Sequence, residues 1–235
     1  MANDLIYAEA DVLAMLDVWL GNRESSWWDG FYTDRAKPCP FFVDAPDESL
    51  VEWLDGALIA KGKAIDLGCG NARNAIFLAR HGFAVDAVDY SEAAMQWAKQ
   101  RVAAAAVRVQ LHCESVFNMV IETGSYDLVC DSGCFHHLPP HRRRTYVDLV
   151  TQALKPGGWF ALTCFRTEGG SGLSDAEVYE RRTLGGGLGY TEAQLRDIWS
   201  HGLQVRVVRQ MKKTSADSGL FGEDFLWALL AQKAA

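Results

Sequence analysis

With 235 residues and 49% hydrophobic side chains, the chain is long enough for one large α/β core and too apolar for disorder. A net charge of −7 argues against a nucleic-acid partner, which would need a basic stripe to neutralise phosphates. No apolar run reaches membrane-spanning length, and residues 1–20 lack a basic start ahead of an apolar core, so no membrane partner and a cytoplasmic location are expected. In chain order, a helix is expected over residues 8–20, followed by an aromatic loop from Ser25 to Arg35. Pro38, Pro40, Phe41 and Phe42 precede a helix from Asp47 to Ile59, with Asp47 as its N-cap. Strands are expected near 63–67, 84–88, 107–112, 126–131 and 157–164, separated by helices near 73–81, 91–104 and 140–153. Ser91 caps the second of these helices, and a short helical turn follows Val116. Residues 168–190 hold seven glycines and read as a mobile insertion. A helix from Thr191 to Trp199 opens on a capping box, and strands from Leu203 to Met211 and Phe225 to Leu230 close the chain. This alternation predicts a doubly wound, mostly parallel, seven-stranded α/β sheet with helices on both faces. Residues 1–46 would form an N-terminal helix and aromatic lid on a single domain spanning 47–235.

One run carries most of the chemistry: Lys63-Ala-Ile-Asp66-Leu-Gly68-Cys69-Gly70-Asn-Ala-Arg73-Asn74. It reads as a buried strand that breaks at glycines and opens into a helix. Glycine suits positions 68 and 70, where the chain turns sharply with no Cβ between backbone and ligand. A second strand then delivers Asp89, nineteen residues after Gly70. A carboxylate there matches the two adjacent donors of a ribose diol. A dinucleotide site would show a third glycine where Ala72 stands and would bring a pyrophosphate to the helix start. Asp66 beside that position repels phosphate but favours a cationic amino group or sulfonium.

On those residues a family resemblance rests. AIDLGCGNAR resembles motif I of the class I (Rossmann-like) SAM-dependent methyltransferases, and AVDAVDYSEAAMQWA resembles their second strand and following helix. LKPGGWF resembles the turn into their fifth strand; the departure at Ala72 keeps a small residue in the loop. The resemblance implies S-adenosylmethionine (SAM) as cofactor and S-adenosylhomocysteine as product. It places Asp66, Gly68, Cys69, Gly70, Arg73 and Asn74 around the methionine part, and Asp89, Tyr90 and Ser91 around the ribose and adenine. Glu114, Ser115 and Val116 would meet the adenine edge, with Ser115 and the Val116 N–H preferred. Asp131, Ser132 and Gly133 would offer backbone carbonyls to the amino group, with buried capping as the other reading for Asp131.

An activated methyl needs only an aligned lone pair and exclusion of water. Past the fourth strand, His136 is the candidate general base, set against a structural or substrate-orienting role. Cys134 and Phe135 line the same pocket, His137 hydrogen-bonds under the sheet, and His141 starts the next helix. Arg142, Arg143 and Arg144 read as a solvated face, or would bind an anionic substrate if turned inward. No metal is expected, because few acidic ligands accompany these histidines. Trp27, Trp28, Phe31 and Tyr32 either form ordinary core or close over cofactor and acceptor, where aromatic faces also favour a sulfonium. Arg35, Phe41 and Phe42 would join that lid from one rim, Phe165, Arg166 and Tyr190 from the other. The six cysteines form no Cys-x-x-Cys pair and read as reduced thiols.

Asp131-Ser-Gly-Cys134 replaces the Asn/Asp-Pro-Pro-Tyr signature of amino-methylating nucleic-acid enzymes, which leaves a small-molecule acceptor in front. The lid and Cys113-Glu-Ser-Val-Phe are loosely similar to the thiopurine, halide and tellurite branch, which implies methylation of a heteroatom (S, N, O or halide) by in-line displacement. Two other readings stand beside it: a SAM-binding protein without methyl transfer, and an NAD(P)-dependent oxidoreductase. A monomer or a homodimer is compatible with the sequence.

Overall fold

The computed structural model describes residues 5–21 and 25–235. Helices α1 (Glu9–Leu20), α2 (Ser25–Thr33) and α3 (Glu48–Asp55) precede strand β1 (Lys63–Leu67). Then follow α4 (Arg73–Arg80), β2 (Ala84–Asp89), α5 (Glu92–Ala104), β3 (Val109–Cys113) and β4 (Tyr126–Ser132). The second half runs α6 (Arg143–Ala153), β5 (Leu154–Phe165), α7 (Asp175–Arg181), α8 (Glu192–Ser200), β6 (Gln204–Gln210) and β7 (Leu226–Gln232).

The strands form one sheet in the order β3-β2-β1-β4-β5-β7-β6. The first five are parallel, and β7 runs antiparallel between β5 and β6. Because side chains alternate across a strand, neighbouring residues feed opposite layers. Ile65, Leu67, Val129, Phe160 and Leu162 pack with Phe135, Tyr146 and Trp199 on one face. Ala64, Leu128, Cys130 and Ala161 pack with Leu50, Trp53, Ala75 and Leu78 on the other. The register pairs Leu67 with Val88 and with Asp131, and Asp89 with Cys113, so the carboxyl ends of β1, β2, β3 and β4 lie level. Ligands bind beyond that edge in open α/β sheets.

Several elements depart from the sequence reading. The aromatic segment is helical rather than a loop, because Trp28, Phe31 and Tyr32 stand at i, i+3 and i+4 and share one face. Asp47 occupies the N-cap position of α3 but makes no side-chain cap; its carboxylate is drawn into a buried network with Arg73, Asn74 and Thr163. Residues 140–142 form a 3-10 turn before α6 begins, since Pro139 and Pro140 cannot donate backbone hydrogen bonds. Strand β5 starts at Leu154, earlier than the glycines suggested. Residues 168–190 contain α7, opened by a Ser174–Glu177 capping box, and bury Val178, Leu184 and Leu188. Glycine content there marks tight packing: a Cβ on Gly170 or Gly189 would run into the backbone of the neighbouring strand of loop. Among the described residues no helix is long and apolar enough to cross a membrane.

Candidate active site

A cavity of about 320 Å³ opens at the carboxyl edge of the sheet. That volume is at the lower end of ligand-pocket sizes. Its floor is the turn after β1. Gly68 and Gly70 both take positive φ, and a Cβ on either would lie 2.7 Å from the Cys134 Cβ or 2.5 Å from the Tyr32 hydroxyl. No larger residue fits that cradle. Ala72 adopts the left-handed conformation at φ 61° and is fully buried, so the third glycine position is filled by the smallest side chain that the packing accepts.

Three buried aspartates stand at this edge, and they do different work. Asp66 accepts from the Ala75 N–H at 3.1 Å and lines the cavity. Burial pushes its carboxyl up to about 7, with Arg73 opposing and Asp47 and Asp131 reinforcing. Asp89 accepts from the Gly70 N–H and the Ser91 N–H, each at 2.9 Å, and each oxygen keeps a lone pair for a ligand hydroxyl. Burial raises it to about 6 against those backbone donors. Asp131 is turned away from the cavity. Its carboxylate accepts from the N–H groups of Gly133, Cys134 and Phe135 and from the Tyr146 hydroxyl at 2.6 Å. The capping reading therefore describes Asp131, while Ser132 and Gly133 line the wall.

Of the other residues expected in the cofactor half, Cys69, Arg73, Asn74, Tyr90, Ser115 and Val116 also line the cavity. Arg73 is held by Asp47 at 2.5 Å and donates to the Ser132 hydroxyl at 2.7 Å. Ser91 instead caps α5, accepting from the Ala94 N–H at 3.2 Å, and Glu114 lies outside the lining. Asn71, which the sequence reading passed over, lines the wall with a buried Nδ2 that has no partner among the described residues. The wall thus holds an orphan donor beside carboxylate acceptors and a side-chain-free cradle, and these residues fit a nucleoside carrying an amino-acid tail.

The other half of the cavity is aromatic. Trp28, Tyr32, Phe41, Phe165 and His136 line it as expected, with Cys134 at the junction. Trp27 and Phe31 form an outer layer instead, stacked at 5.6 Å, and Arg35 reaches Gln100 on α5 at 2.9 Å. Phe135 and Tyr190 belong to the core, stacked on each other at 5.1 Å, because the 3-10 turn over residues 135–137 points Phe135 under the sheet edge. That same turn sends His137 the other way: it lines the cavity and meets Trp28 edge-on at 4.8 Å, contrary to the expectation that it sits under the sheet. His141 is remote, bonded to Asp17 and Tyr179. Arg142, Arg143 and Arg144 are paired with Asp17, Asp175 and Asp148 rather than simply solvated. Thr163, Phe221 and Phe225 also line the site and were missed. Thr163 could have been found at the carboxyl end of a strand, and the two phenylalanines in a polar loop, the same signal that marked the N-terminal cluster.

His136 is 4% exposed and stacks on Phe165 with ring centroids 3.7 Å apart. Its Nδ1 accepts the Phe165 backbone N–H at 3.2 Å. Burial, with His137 adding to it, holds this imidazole well below its usual range, so the ring is neutral. A neutral ring accepting at Nδ1 carries its proton on Nε2, and Nε2 is then a donor, not a base. The Cys134 thiol is pushed well up by burial and by Asp131 and Asp89, which removes thiolate character. Among the described residues no group of three or more His, Cys, Asp or Glu side chains is arranged to hold a metal ion.

Residues 64–158 match a family model described as a methyltransferase domain. That span resembles a methyltransferase domain, and the sheet has the class I methyltransferase fold. The matched span contains the glycine turn, Asp89, and the start of the fifth strand of the methyltransferase sheet. An EEF1A lysine methyltransferase 2 from Danio rerio is 26% identical over 61% of this chain and 68% of its own length. A 2-heptyl-1-hydroxyquinolin-4(1H)-one methyltransferase from Mycobacteroides abscessus is 26% identical over 55% of this chain and 57% of its own. The methyltransferase match therefore spans only about half to two thirds of those relatives. In three dimensions, the Burkholderia thailandensis 1,6-didemethyltoxoflavin-N1-methyltransferase covers 100% of this chain and 94% of its own at TM-score 0.62 and 20% identity. That likeness is one of fold.

Proposed function

We propose that the protein transfers the methyl group of SAM to a heteroatom of a small molecule. One observation carries this reading: a single cavity joins the glycine turn with its two ligand-facing aspartates to an aromatic pocket closed by α2. Bound there, SAM would supply a methyl already activated by its sulfonium. Asp89 would hold the ribose diol, Ser115 and Val116 the adenine edge, and Asp66 with the Ser132–Gly133 wall the amino group. Trp28, Phe41, Phe165 and Phe225 would seat the acceptor and exclude water. Positioning alone supplies about 7–11 kcal/mol of barrier reduction. His136 would orient the acceptor through its Nε2–H, so the nucleophile arrives with its lone pair already free.

The walled cavity favours a small molecule over the protein acceptor named for the Danio rerio relative. The Burkholderia thailandensis neighbour, whose structure holds both a small-molecule substrate and S-adenosylhomocysteine, supports the same choice. The six cysteines are all free, in keeping with a reducing, cytoplasmic setting. Within residues 1–46, α2 with Pro40 and Phe41 acts as the lid in this reading; residues 1–4 and 22–24 lie outside the described residues.

Incubation with SAM labelled in the methyl group and a panel of small thiols, amines, phenols and halides tests the proposal. Label is expected in at least one product, in proportion to S-adenosylhomocysteine released. SAM binding without label transfer to any member of the panel or to a small-molecule extract would leave a binding protein.

A further inference from the structure

Asp29 lies on α2 between Trp28 and Tyr32, the two residues through which that helix reaches the cavity. Its Oδ1 accepts from the Ser91 hydroxyl at 2.8 Å and from the Ala93 backbone N–H at 3.1 Å. Both donors belong to the start of α5, where helical N–H groups have no partner within the helix. Ser91 Oγ serves the Ala94 N–H at 3.2 Å while Asp29 serves Ala93. The helix is therefore capped jointly, by its own serine and by a carboxylate from α2. A negative charge there is also favoured by the helix dipole.

Ser91 has a second engagement. Its backbone N–H donates to Asp89, whose other oxygen accepts from Gly70, both at 2.9 Å. Hydrogen bonds thus lead from the glycine turn through Asp89 and Ser91 to Asp29. Three residues beyond Asp29, Tyr32 covers Gly70; one residue before it, Trp28 meets His137 at the acceptor end. The apolar packing of Phe31 and Tyr32 on Phe42, and of Tyr32 and Phe42 on Trp97, is non-directional. Two hydrogen bonds to one carboxylate oxygen fix the rotation of α2.

We infer that Asp29 is a positioning residue that makes the acceptor wall conditional on the cofactor. A ligand that fixes Asp89 and Ser91 also fixes α2, and with it Trp28 and Tyr32. The inference rests on the cofactor reading above. Because coupling is reciprocal, docking of α2 strengthens cofactor binding by the same factor.

Hydrogen exchange of the α2 amides, residues 25–33, with and without S-adenosylhomocysteine tests this on the full chain. In the unaltered protein the ligand is expected to slow exchange across α2. Asp29→Ala should still bind, about fivefold more weakly, and lose that ligand-dependent slowing. Asp29→Asn, which keeps the acceptor oxygen, should restore most of it; a capping role alone would lower thermal stability in Asp29→Ala yet leave the slowing in place. Equal α2 exchange with and without bound ligand in the unaltered protein would overturn the inference. So would full ligand-dependent slowing in Asp29→Ala. Should Asp29→Ala not fold, the unaltered protein and Asp29→Asn decide. Absence of any S-adenosylhomocysteine binding would remove the cofactor reading and this inference together, and it is told apart by the missing binding heat.

Discussion

The part of the cavity at the glycine turn is held by backbone and carboxylates, whereas the opposite part, proposed to seat the acceptor, is held by rings. In the first, Asp66 and Asp89 each accept from main-chain N–H groups, and two glycines leave no room for a side chain. In the second, Trp28, His137, His136 and Phe165 touch one another through edges and faces. A hydrogen-bonded turn specifies one ligand shape, while an aromatic wall specifies only size and planarity. The first part therefore fits one cofactor, and the second a class of proposed acceptors.

The comparison can be strained first at the sheet. Trp199 is fully buried and packs on Phe160 with ring centroids 4.3 Å apart. Trp199→Ala is expected to cost about 3–5 kcal/mol in denaturant unfolding. Trp27, 44% exposed on the outer layer of α2, should cost about 1 kcal/mol or less on the same substitution. Equal losses would mean that α2 is as much a part of the core as α8.

That contrast tracks what the sequence disclosed. Glycine, aspartate and a buried strand are local signals, so β1, the turn and β2 were legible, as were the seven strands and the Thr191 capping box. The helical state of α2 was not, because Gly30 and the aromatic residues carry weak helix propensity and their packing partners lie on α5 and in residues 41–42. The roles within residues 131–137 depend on a 3-10 turn whose phase sends Phe135 to the core and His137 to the cavity. One residue of phase reverses that assignment, and nothing in the sequence fixes it.

A second strain is pH. Asp89 and Asp66 are raised to about 6 and about 7, so acid protonates the carboxylates that a ligand's donors require. S-adenosylhomocysteine binding should therefore release protons near neutrality and weaken as pH falls. The loss should reach up to about tenfold per pH unit for each carboxylate below its pKa. Calorimetry in buffers of different ionisation heat would show it; pH-independent affinity between about 5 and 8 would mean the carboxylates do not face the ligand.

The smallest effect is expected at His136. With Nδ1 occupied by the Phe165 N–H, His136→Gln keeps a donor and should retain turnover within about tenfold, with no new pH dependence. A loss of a hundredfold or more at intact SAM affinity would make His136 a general base after all.

The central claim is that the turn after β1 and the carboxylate after β2 hold the nucleoside of SAM. Calorimetric titration of Asp89→Ala with SAM, beside the unaltered protein, tests it most directly. Hydrogen bonds to a charged group contribute about 1.5–3 kcal/mol, so affinity should fall at least about tenfold while the fold, monitored by circular dichroism, persists. An unchanged dissociation constant in a folded Asp89→Ala variant would contradict the assignment.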